Sequence, residues 1–151
     1  MKKNLYFTLF AIMSVLIAAS CGSKSTRSGK MSKSPTERCV TAIDNFVESL
    51  QQVGADMSES DLSSHFKEVF NCLEDFVKSD PSKEDCQLVN AKMNNLSEII
   101  IRMMSRMNRD EEAKWNEKAD EAARQAGYTP EFEERLGAEF KALMEKYDLD
   151  F

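Results

Sequence analysis

Histidine occurs once in the 151 residues, at His65, so no second imidazole is present to complete a zinc site or a proton relay. The sequence also lacks a glycine-rich phosphate loop, an HExxH pair, a CxxC pair and a Gly-x-Ser-x-Gly turn. No stretch alternates apolar and polar residues with the period of two that a half-buried strand needs, and Asn-Gly hairpin turns are absent. These absences argue against an enzyme, against a resident cofactor and against β-structure. His65 itself reads as a surface or boundary residue of a helix.

Acidic residues are missing from the first 33 positions and crowd the rest. Residues 1–33 hold six of the 20 lysines and arginines and none of the 26 aspartates and glutamates, so residues 34–151 carry a net charge of −12. Phosphate binding relies on clustered Lys and Arg, so a domain of this charge is a poor candidate for nucleic acid. Carboxylates in such number on amphipathic helices read as solvated faces rather than as acid and base pairs.

The amino end is organised differently. Lys2 and Lys3 precede an apolar run from Leu5 to Ile17, which leads through Ala18, Ala19 and Ser20 into Cys21. An apolar helix of about 13 residues covers only about 20 Å, short of a hydrocarbon core of about 30 Å. Residues 1–20 therefore read as a signal peptide rather than a resident span. Small residues running directly into a cysteine resemble the lipobox of bacterial lipoproteins. Ala18 stands where that family most often has leucine. The resemblance implies that Cys21 receives a diacylglyceryl group, that residues 1–20 are removed, and that the new amino terminus is acylated, for example with palmitate. Membrane lipid attached through Cys21 is then the first expected partner. Several acyl chains suffice for lasting attachment where one is marginal.

Gly22 to Lys33 contains glycine, serine, threonine, lysine, arginine and one methionine, with no aromatic residue. It cannot bury enough apolar surface to offset the entropy of ordering, so residues 21–33 read as the lipidated cysteine and a flexible basic tether. Its typical span is roughly 20 Å. Lys24, Arg27, Lys30 and Lys33 either press it onto anionic head groups or simply keep it soluble.

Residues 34–151 are long enough for one acidic domain with its own core. Ser34, Asp80 and Thr129 each precede a proline, the pattern of an N-cap followed by proline at the first helical position. Ser34 with Glu37 spells a capping box, and Ser58 marks another start. Gly54 and Gly127 fall where helices should stop. Apolar residues recur at helical spacing along Val40–Leu50, Leu62–Val77, Leu88–Met107 and Phe132–Tyr147. The expectation is an all-α bundle of four to five helices. The number depends on whether the third helix runs on through Trp115 and Ala119 or is broken by a fresh cap at Asn108.

Three cysteines remain after Cys21. If the first three helices run up, down and up, Cys39, Cys72 and Cys86 share one end of the bundle, and in an exported protein one disulfide is within reach. Consecutive antiparallel helices favour Cys39 with Cys72. Cys72 with Cys86, or three reduced core thiols, are the alternatives. Met103, Met104 and Met107, with Met93 before them, suit core packing, a groove for a partner helix, or thioether ligation of Cu(I).

The functional expectation is a membrane-tethered, non-catalytic helical interaction module, an adaptor, inhibitor or immunity-type factor with a protein partner. The alternative is a carrier of a small ligand or copper. The form resembles small lipoproteins of Bacteroidota, in which surface export is associated with acidic residues after the cysteine. Gly22, Ser23, Lys24 and Ser25 lack them, which implies an outer-membrane anchor facing the periplasm.

Overall fold

The computed structural model describes residues 33–149. The signal peptide, Cys21 and all of the tether except Lys33 lie outside them.

Five α-helices account for the domain among the described residues: α1 Pro35–Val53, α2 Glu59–Lys78, α3 Lys83–Met104, α4 Arg109–Gln125 and α5 Pro130–Lys146. A 3-10 turn, Gly54–Asp56, follows α1. No helix among these residues is long and apolar enough to cross a membrane.

Each helix begins where a short polar side chain accepts orphan amides. Ser34 Oγ accepts from the Glu37 amide at 3.1 Å while the Ser34 amide donates to the Glu37 carboxylate at 2.8 Å. Ser58 and Thr129 cap α2 and α5 through the amides of Asp61 and Phe132. Asn108 Oδ1 accepts from the amides of Asp110 and Glu111, and Glu111 answers the Asn108 amide at 2.9 Å. That reciprocal cap breaks the chain after Met107, so α3 and α4 are separate helices.

The expected cap at Asp80 is corrected. Asp80 has φ +51° and lies in the loop, Pro81 is buried ahead of the helix, and Ser82 caps α3 instead. The reason is chemical: Ser82 has Asp85 three residues on and closes a capping box with it, whereas Asp80 is followed at that spacing by Lys83, which has no acceptor to offer. The two glycine stops stand. Gly54 (φ +54°) and Gly127 (φ +93°) occupy the left-handed half of the map, where an added Cβ would meet nothing within 4 Å. The requirement there is conformational rather than steric crowding.

Apolar faces dictate the packing. Ile43, Phe46 and Leu50 of α1 meet Leu62, Phe66, Leu73 and Phe76 of α2 and Val89, Met93 and Leu96 of α3 in one core. Helix α1 lies between α2 and α3, while α4 and α5 pack on α2. Helices α1 and α2 are antiparallel: Arg38 pairs with Asp75 at 3.2 Å near one end, and Phe46 meets Phe66 with ring centroids 5.4 Å apart further along. Helix α3 starts beside the end of α2, hence beside the start of α1, and runs parallel to α1. The Lys92–Asp44 ion pair, 2.9 Å, joins the tenth residue of each. Helix α5 follows α2, with Phe132 on Phe70, Phe140 on Phe76, Arg135 on Glu74 and Lys146 on Asp80.

Candidate functional site

The three cysteines are free thiols in the structure, Cys39 and Cys86 buried and Cys72 half-buried. Burial pushes the Cys39 thiol up to about 12, with Cys72 and Asp75 adding to the shift and Arg38 opposing it. The Cys72 thiol is raised by burial, again opposed by Arg38 and reinforced by Asp75. Cys86 answers to a different set: burial first, then Asp85 and Asp80 against Lys146, which together place it at about 11. All three thus sit toward the same end of the bundle, but Cys39 and Cys72 share their charged neighbours and Cys86 does not.

One reactivity prediction follows from that displacement. A thiol at about 11 carries roughly a hundredfold less thiolate at pH 8 than one at the ordinary value of 9.0. Cys86 in the folded protein is therefore expected to react with iodoacetamide about a hundredfold more slowly than in the unfolded chain, accelerating about tenfold per pH unit while the fold persists. Peptide-level mass spectrometry over a time course measures this. Equal rates in folded and unfolded protein would refute the buried placement.

His65 stacks on Phe46 with ring centroids 5.0 Å apart and planes inclined by 6°, and it is half-buried, a boundary residue. Its Nδ1 has no hydrogen-bond partner among the described residues. An aromatic run continues from this stack through Phe66, Phe70, Tyr128 and Phe132. Burial and the neighbouring Glu133 carboxylate both raise the Tyr128 phenol, which is neutral throughout the physiological range. Met93 is buried, and Met103, Met104 and Met107 pack against the core from its edge. Among the described residues no group of three or more histidine, cysteine, aspartate or glutamate side chains is placed to hold a metal ion.

The α3–α4 corner differs from the rest of the surface. From Ile99 to Arg109 the chain carries three arginines and no acidic residue, in a domain with a large acidic surplus. Arg102, Arg106 and Arg109 are all exposed. Arg102 pairs one helical turn back with Glu98 at 3.4 Å, whereas Arg106 and Arg109 make no ion pair among the described residues. Ile101, beside them, leaves 52% of its surface in water. Since α1 and α3 start together, this corner lies at the end of the bundle away from Ser34. The 22 residues of α3 put the two ends roughly 30 Å apart. The eleven-residue gap in the acidic pattern is readable in the sequence, but the methionines within it draw the eye to core packing or metal instead.

No family model, curated protein or solved structure matches the chain.

Proposed function

We propose that the chain is a lipoprotein held to a bacterial membrane through Cys21, and that its helical domain is a non-catalytic module which captures a protein partner at the α3–α4 corner. The partner's complementary surface is an apolar side chain flanked by carboxylates. The observation that carries this reading is the exposed Ile101 beside two arginines that find no carboxylate in a domain rich in them. Like-charge repulsion from the domain's acidic surface disfavours acidic partners everywhere else, so unpaired guanidinium groups at one corner select the docking site. Exposed isoleucine supplies desolvation energy, and arginine supplies orientation through its planar fork. The tether joins the domain at Ser34, so the corner points away from the anchoring membrane.

The anchor and the corner have separate tests. Growth with a radioactive fatty acid should label the wild-type protein, and Cys21→Ser should lose that label completely; undiminished labelling of the variant would sink the anchor. For the corner, a photoreactive amino acid placed at Ile101 should yield a crosslinked product in cells. Arg106→Glu with Arg109→Glu should reduce that product at least tenfold, consistent with loss of two charge-assisted contacts. Both arginines are exposed, so the thermal melt of the double variant should match wild type. A crosslink indifferent to the charge reversal, or none at all, would remove the corner from the proposal.

A further inference from the structure

The geometry points to Cys39 and Cys72 as a disulfide-forming pair that clasps the start of α1 to the end of α2, leaving Cys86 a free thiol. The case rests on register. Phe46 and His65 are stacked face to face across the α1–α2 junction, which shows that these two positions point at one another. Cys39 lies seven residues before Phe46, and Cys72 lies seven residues after His65. Seven residues are close to two helical turns, so each cysteine occupies the same face as its aromatic reference. In antiparallel helices one shift goes backward and the other forward, so the two cysteines return to a common level. The Arg38–Asp75 ion pair, between the residue before Cys39 and the residue three after Cys72, confirms that the helices still face each other there. The same two charged groups act on both thiols, as a shared location requires.

Cys86 fails each of these conditions. Helices α2 and α3 follow one another in sequence but make few direct contacts, because α1 packs between them. Its charged neighbours are Asp85, Asp80 and Lys146, not Arg38 and Asp75.

The reaction needs a disulfide-bearing oxidant. The Cys72 thiol, the more exposed of the two, gives its proton to solvent, and its thiolate attacks one sulfur of that oxidant, breaking the oxidant's S–S bond and forming a mixed disulfide. The Cys39 thiol loses its proton in turn and attacks Cys72 Sγ, expelling the oxidant's second sulfur. The two thiolates released from the oxidant take up the two protons. Two protein thiols are oxidised, and one oxidant disulfide is reduced to two thiols. In the cell this rests on the exported location proposed above; in the purified chain it rests on the geometry alone.

The test uses the full-length chain with Cys21→Ser, so that only the three domain cysteines are present. After equilibration with oxidised glutathione and alkylation under denaturing conditions, an unreduced tryptic map should show the Cys39 and Cys72 peptides linked and Cys86 alone alkylated. Cys86→Ala should preserve the link and Cys72→Ser should abolish it. Reduction should lower the melting temperature by about 10 °C or more, since the bond closes a loop of about 33 residues. Three alkylated cysteines, a mixed disulfide persisting on Cys72, or a link through Cys86 would each overturn the pairing. A link that forms in the purified chain, with reduced thiols in protein trapped directly from cells, would uphold the pairing and count against the exported location.

Discussion

Phe76→Ala is expected to destabilise the domain by about 3–5 kcal/mol, the range for deleting a buried phenylalanine side chain. Phe76 has no exposed surface, and its ring lies 6.1 Å from that of Phe140, the contact that joins α5 to α2 in the interior. The other links between these helices are polar and near the surface, Arg135 to Glu74, Lys146 to Asp80 and the Tyr147 hydroxyl to the Pro81 carbonyl. Exposed ion pairs contribute at most about 1 kcal/mol, so they cannot hold α5 once the apolar contact is gone. Urea titration followed by circular dichroism should show the midpoint falling with an unchanged slope. His65→Ala, which loses one stacked contact at the boundary, should cost only about 1 kcal/mol. The opposite order would mean that α2 presents a different face to the core.

The same logic explains what was legible beforehand. The inward face of α2 could be written from spacing alone because Leu62, Phe66, Val69, Phe70, Leu73 and Phe76 recur at three and four residues, and all are buried. Helix starts were legible wherever a cap and its reciprocal acid stood three residues apart. Asp80 misled because proline after aspartate imitates a helix start, while the better capping pair, Ser82 with Asp85, stands two residues later. An equally local signal settles the break after Met107, since Asn108 and Glu111 form a complete box. Neither choice required knowledge of distant residues.

What spacing could not supply was adjacency. An amphipathic stripe says that a helix buries one face and is silent on which helix covers it. Lys92 on α3 therefore finds Asp44 on α1, across an interval of 48 residues, rather than any group on the consecutive α2. The grouping of the cysteines depends on this, because the insertion of α1 between α2 and α3 separates Cys86 from Cys72 although all three occupy one end. The α3–α4 corner was hidden for a different reason. Ile101 belongs to the run Ile99–Ile101, in which Ile100 alone is buried, and only the rotation of the finished helix assigns the remaining two.

Trp115→Ala is expected to cost about 3–5 kcal/mol and Trp115→Phe no more than about 1 kcal/mol, a contrast that tests how α4 is held. The inward face of α4 is otherwise built of Ala119, Ala122 and Ala123, all fully buried, whose small side chains let the helix lie close against α2. Alanine brings backbones together but buries little area, so the indole supplies most of the apolar surface that this helix removes from water. Deleting it leaves a cavity that a rigid alanine face cannot collapse to fill. Phenylalanine keeps most of the volume and removes the indole N–H, a buried donor with no acceptor among the described residues. Relief of that unpaired donor offsets the smaller ring. Lys118, whose Nζ stands 5.0 Å from the indole centroid while donating to the Ala55 carbonyl at 2.7 Å, keeps its backbone contact in either variant. Equilibrium urea unfolding of the three proteins by circular dichroism measures both differences. If phenylalanine proved as damaging as alanine, the indole N–H would have to be engaged in a hydrogen bond in solution, and the account of α4 as a helix anchored by volume alone would fail.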